Sequence, residues 1–149
     1  MSAPAHERMD VLLVEDSPHD EELVLRTFRR YRICDRIFVV RDGAEALEYL
    51  RGTGRHRDRP SPSGLRMILL DLKLPLLDGH DVLAEIKTDP DLRRIPVVVF
   101  TSAAPEPDRM RGYALGANSY IVKPVEFDLF TAAVRDVAGY WLGLNRAPT

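Results

Sequence analysis

Residues 67–79 read MILLDLKLPLLDG, and the fold follows from how this stretch begins and ends. Four apolar residues, Met67 to Leu70, run into one acid, Asp71; Pro75 and the pair Asp78-Gly79 then break the chain before the next periodic segment. A short continuous apolar run bounded by turn residues suits a strand covered on both faces, as in a parallel sheet. Asp71 then stands where that strand emerges, and in open α/β sheets ligands bind at the carboxyl ends of the strands. Other strand ends should supply its neighbours.

Toward the N-terminus, Val11–Val14 is a second apolar run and closes on Glu15-Asp16. Ser17 can cap a helix, Pro18 suits its first position, and Asp20 stands where a capping-box acid would. The pattern predicts a helix from about Pro18 to Tyr31 that turns Leu23, Val24, Phe28 and Tyr31 inward. Ile37–Val40 predicts another strand, and Asp42-Gly43 opens a helix with Ala46, Leu47 and Leu50 inside, stopped by Gly52. Thr53–Gly64 mixes Gly, Pro and Ser with Arg55, His56, Arg57 and Arg59 and reads as a solvated loop.

Toward the C-terminus, His80–Thr88 predicts a helix presenting Val82, Leu83 and Ile86, and Ile95–Phe100 a strand that finishes in Thr101-Ser102. Ala103–Pro107 is a loop, Asp108–Leu115 a shorter helix, and Ser119–Val122 a strand ending in Lys123-Pro124. A final helix runs from about Val125 to Leu142. Five β/α units without a repeat or linker predict an α/β fold, a doubly wound parallel sheet with helices on both faces. One domain, 10–144, lies between an N-terminal tail, 1–9, and a C-terminal tail, 145–149.

The chain has 149 residues, 45% of them hydrophobic and 30% charged, with a formal net charge of −2. That balance favours neither a nucleic-acid binder nor a membrane protein. No apolar stretch approaches the roughly 18 residues that span a bilayer, and MSAPAHERMD carries no secretory apolar region. The single cysteine, Cys34, cannot form an internal disulfide and reads as a buried reduced thiol, in keeping with a cytoplasmic location. His6, His19, His56 and His80 show no ligand spacing and read as surface residues.

In a parallel sheet Glu15, Asp16, Asp71, Thr101 and Lys123 all come from carboxyl ends and can meet at one edge. Carboxylates a few ångströms apart repel unless a cation neutralises them, and one lysine is not enough for three. Oxygen ligands of this kind suit Mg²⁺, which takes one or two carboxylates plus phosphate oxygens. Within such a site Asp71 can attack phosphorus and become an aspartyl-phosphate. Asp16, and Glu15 in part through water, can hold the cation, while Lys123 pairs with one phosphoryl oxygen and Thr101 donates to another.

With these residues in place the chain resembles the response-regulator receiver domains of two-component signalling, from Asp10 to about Leu142. The matching motifs are VLLVEDS, MILLDLKLPLLDG, PVVVFTS and YIVKP. The resemblance implies the strand order 2-1-3-4-5, Glu15 and Asp16 as Mg²⁺-binding residues, Asp71 as the phosphorylated residue and the Lys73 carbonyl as a further metal ligand. It also implies Thr101 and Tyr120 as a switch pair, Lys123 as the phosphate-binding cation and a cis Lys123-Pro124 peptide. The long loop before the third strand, the stretch DPDLRRIPVVVFTS and the terminal YWL are similar to stand-alone regulators that partner bacterial phytochromes. Departures are Glu15 where many receivers have a second Asp, Lys73 two places after Asp71, and Ala103 two after Thr101; the last two positions flank the phosphoryl group in this family.

The resemblance further implies an upstream histidine kinase or histidine phosphotransfer protein docking near the acidic pair, with Leu23, Val24 and Thr27 as possible contacts. Only NRAPT follows Leu144, so the signal is expected to leave by protein contact or onward phosphotransfer. In the last helix Phe127, Phe130, Val134, Val137 and Trp141 form a stripe that Leu129, Ala133, Tyr140 and Leu144 widen to about half the circumference. One sheet face cannot bury so wide an arc, which predicts a homodimer through this helix. Rival readings are an aspartyl-nucleophile phosphatase, which expects a second Asp where Lys73 stands, a flavodoxin-like cofactor binder, which expects a Gly-rich phosphate loop, and a degenerate receiver that only binds.

Overall fold

The computed structural model describes residues 9–59, 62–102 and 105–148; Ala103, His6 and the rest of residues 1–8 lie outside them. A period of two decides the layering. In β1 (Val11–Val14), Val11 and Leu13 pack to one side of the sheet and Leu12 and Val14 to the other. The same division runs through β3 (Met67–Leu70), with Met67 and Leu69 opposite Ile68 and Leu70, and through β4 (Val97–Thr101), with Val98 and Phe100 opposite Val97 and Val99. Neither face of these strands meets water, so no polar residue interrupts the runs.

Helices α1 (Pro18–Arg30) and α5 (Phe127–Gly139) close one face with Val24, Phe28, Phe130, Val134 and Ala138. On the other, α2 (Gly43–Arg51) and α3 (Gly79–Thr88) contribute Ala46, Tyr49, Leu50, Val82, Leu83 and Ile86. With β2 (Ile37–Val40) and β5 (Ser119–Val122) at the edges, the parallel order is β2-β1-β3-β4-β5, as the resemblance implies. The winding reverses between β1 and β3, the place where such sheets open a crevice. Val14 there registers with Leu70, so Glu15 and Asp71 leave the sheet side by side, the Asp71 N–H bonded to the Val14 carbonyl at 3.1 Å.

Several local expectations need correction. Helix α1 ends at Arg30, so Tyr31 falls on its C-cap, 38% exposed, with the guanidinium groups of Arg30 and Arg135 over its ring. Thr27 turns inward, its hydroxyl bonded to the Leu23 carbonyl at 2.8 Å. Helix α4 (Glu106–Ala114) starts earlier than predicted, and α5 starts later, which leaves Val125 in the open. A single π-turn, Tyr140–Leu144, follows α5. The Lys123–Pro124 peptide is trans, since no cis bond occurs among the described residues; even before proline the trans form is favoured by about 0.5–1 kcal/mol.

The basic segment is more than a solvated loop. It contains short 3₁₀ turns at Gly54–His56 and Pro62–Gly64, and its first half packs on α2 and on the Phe38 side chain of β2. Arg55 pairs with Glu48 at 2.6 Å, His56 Nε2 lies 3.0 Å from Glu45, and the Arg59 guanidinium sits 4.2 Å from the Phe38 ring centroid. His56 is mostly covered and His80 buried, its Nε2 3.3 Å from the Asp108 carbonyl, so of the histidines described only His19 lies on the surface. Cys34 is half-buried, and burial pushes its thiol pKa up. Among the described residues no helix is long and apolar enough to cross a membrane.

Candidate functional site

Four strand ends converge on Asp71. Glu15 and Asp16 follow β1, Asp71 follows β3, Thr101 closes β4 and Lys123 follows β5. One ligand oxygen from each of Glu15, Asp16 and Asp71 lies within 4.8 Å of the others, with Glu15 and Asp71 buried and Asp16 exposed at the mouth. Asp71 is held from three sides: the Thr101 hydroxyl donates to Oδ1 at 2.8 Å, the Lys73 amide to Oδ1 at 3.2 Å, and Lys123 Nζ to Oδ2 at 2.9 Å. Lys73 thus meets Asp71 through its amide, while its side chain faces solvent. The Tyr120 ring lies close to Gly112 of α4 and 6.3 Å from that of Tyr113.

The same arrangement of residues is matched from Val11 to Arg135 by the family model for the response regulator receiver domain. This chain belongs to that family. Curated relatives include the probable methanogenesis regulatory protein FilR2 of Methanothrix harundinacea, 45% identical over 93% of this chain and 86% of that one. Response regulator Rcp1 of Synechocystis is 40% identical over 89% and 88%. The crystal structure of the Mn²⁺-bound form of Rcp1 matches with a TM-score of 0.86 over 93% of this chain and 98% of that one, at 39% identity. The phosphorylated cyanobacterial phytochrome response regulator RcpA gives 0.87 over 96% and 100%, at 37% identity. The receiver is thus similar to stand-alone, phytochrome-associated response regulators.

The electrostatics of this receiver are those of three acids sharing one cation. Burial pushes Glu15 up to a pKa of about 8, with the Asp71 charge as the second cause, against the opposing pull of Lys123. Burial also raises Asp71, but the Lys123 charge and the bonds from Lys123 and Thr101 outweigh it and hold Asp71 below the usual carboxylate range. Burial acts to lower Lys123, yet its bonds to Asp20 and Glu15 and the Glu15 charge keep it well above the ordinary lysine value. Asp71 is therefore ionised beside a protonated lysine, and Glu15 is the acid that keeps its proton until further positive charge arrives. An all-oxygen cluster whose acids cannot all ionise without added positive charge fits a hard divalent cation such as Mg²⁺.

Asp20 was missed as a member of the site. Its place in the sequence suits a capping box, but its carboxylate turns away from the helix start and bonds Lys123 Nζ at 2.7 Å. The Ser17 N–H is instead taken by Glu15 Oε2 at 3.2 Å, while Ser17 Oγ accepts the Asp20 N–H at 3.2 Å. An acid four residues after the acidic pair falls on the inner side of the first turn of α1, which was the available hint.

Proposed function

We propose that this receiver takes a phosphoryl group from a histidine kinase or histidine phosphotransfer protein onto Asp71, with Mg²⁺ required, and passes the signal on by protein contact or onward phosphotransfer. The observation that carries this reading is the buried, ionised Asp71 carboxylate, fixed by Thr101 and Lys123 at the bottom of a three-acid cluster. An Asp71 oxygen bonds to phosphorus as the donor's P–N bond breaks and its imidazole departs. The side chains of Glu15, Asp16 and Asp71 and the Lys73 carbonyl would hold the cation. Bound Mg²⁺ supplies positive charge beside the transferring group. Lys123 then pairs with one phosphoryl oxygen, and Thr101 gives up Asp71 to donate to another.

Tyr120 follows Thr101 toward the site, which changes the surface between α4 and β5. The chemistry is confined to the protein's own side chain, so the activity is signalling in the cytoplasm rather than turnover of a metabolite. Similarity to Rcp1 and RcpA favours a red-light-sensing bacteriophytochrome kinase upstream. A homodimer through α5 and the turn after it is supported by Phe127, Leu129, Tyr140 and Leu144, which are 46%, 57%, 48% and 77% exposed.

Labelling with acetyl phosphate tests the central step. Mass spectrometry is expected to find one base-labile phosphoryl group on Asp71, which does not form when Mg²⁺ is chelated before the donor is added and is absent from Asp71→Asn. A modification at another residue, or one indifferent to chelation, overturns the reading. Light-dependent transfer from a bacteriophytochrome kinase tests the partner.

A further inference from the structure

We propose that Asp20 is a positioning residue for Lys123, keeping its ammonium in the site when Glu15 and Asp71 turn to other partners. The inference rests on the phosphoacceptor reading of Asp71. A lysine ammonium has three protons to donate, and all are used here: 2.7 Å to Glu15 Oε1, 2.7 Å to Asp20 Oδ2 and 2.9 Å to Asp71 Oδ2. Two of these acceptors belong to the three-acid cluster that would face a cation; Asp20 does not. Phosphorylation also turns one Asp71 oxygen into an acyl-phosphate oxygen, which no longer carries the charge that attracted Lys123. Asp20 is the one acceptor that neither event claims.

Its place in the fold suits that role. Asp20 lies in the first turn of α1, its backbone N–H fixed by the capping Ser17. Its side chain is 23% exposed, against 2% for Glu15 and 7% for Asp71. The Asp20 carboxylate therefore reaches the lysine from the solvent side while its backbone is anchored. A flexible four-carbon side chain tied at one such point stays within reach of an arriving phosphoryl oxygen instead of swinging into water.

A double-mutant cycle reads the coupling, with acetyl phosphate as donor at saturating Mg²⁺. Asp20→Asn, which keeps the shape and removes the charge, is expected to slow phosphorylation of Asp71 on the order of tenfold at an unchanged thermal midpoint. Asp20→Ser is expected to do the same and guards against a defect peculiar to one replacement. In a Lys123→Ala background, Asp20→Asn is expected to change the rate by less than about twofold, because its effect acts through the lysine. Wild-type rates in both Asp20 variants, or an equal slowing with and without Lys123, overturn the assignment while leaving Asp71 as phosphoacceptor. A wild-type protein that takes no label on Asp71 overturns both.

Discussion

Without a cation, Glu15 keeps its proton at neutral pH, since burial and then the Asp71 charge raise its carboxyl from 4.5 to about 8. The folded chain therefore holds this proton more tightly than the unfolded chain, and the stability it confers is complete below about pH 4.5 and lost as pH rises through about 8. Asp71, held low, and Lys123, held high, keep their charges throughout that window, and comparison with Glu15→Gln isolates the Glu15 contribution. In metal-free buffer the thermal midpoint of the native protein is expected to fall across this range, and that of Glu15→Gln to stay flatter. Because cation binding must displace this proton, Mg²⁺ should raise the midpoint more near pH 8 than near pH 6. Equal shifts measured by calorimetry at the two pH values would refute the assignment. At this scale the sequence identifies Glu15, Asp71, Thr101 and Lys123 because each directly follows or ends a recognisable strand. It misplaces Asp20, because a side chain with two possible partners chooses by three-dimensional distance.

The loop from β3 to α3 brings the site and the backbone together. Asp78 caps α3, accepting the N–H groups of His80 at 2.6 Å and Asp81 at 3.3 Å, while the Gly79 N–H reaches the Leu72 carbonyl at 2.8 Å. A methyl group at Gly79 would collide with the backbone of Asp71 and Leu72. Gly79→Ala is accordingly expected to cost about 2–3 kcal/mol in urea unfolding and to disturb Asp71 as well. Leu76, in the same loop, has φ +68° and is 84% exposed, so its side chain gives little burial in return for a left-handed backbone. Leu76→Asn should stabilise the protein by about 0.5–1 kcal/mol, measured in the same way. The Asp-Gly pair is legible as a break before a helix, whereas the collision that makes the glycine necessary becomes visible only when the loop folds back on β3.

At the scale of the whole molecule, α5 and the π-turn after it divide their apolar residues between two surfaces. Phe130, Val134 and Ala138 enter the core, while Leu129 and Leu144 are left facing outward. Met110 and Tyr113 of α4 and Val122 of β5 are exposed as well. Sedimentation velocity at micromolar concentration is expected to show a dimer, and Leu129→Arg with Leu144→Glu to give a folded monomer that still labels on Asp71. Monomer alone, with or without phosphorylation, would refute the dimer. The width of the arc is read from periodicity, but which residues remain outside depends on where α5 begins and on the turn that ends it.

By itself the sequence determined the alternation of strands and helices and the residues that close each strand, since both follow from short-range patterns of burial and capping. Tertiary structure alone decided that Asp20, 103 residues from Lys123, joins the site. It also decided that the basic segment packs on Phe38 and the acids of α2, that His80 is buried and that Tyr31 is not. Each of these depends on which distant group arrives within a few ångströms, and local spacing along a chain carries no information about that distance.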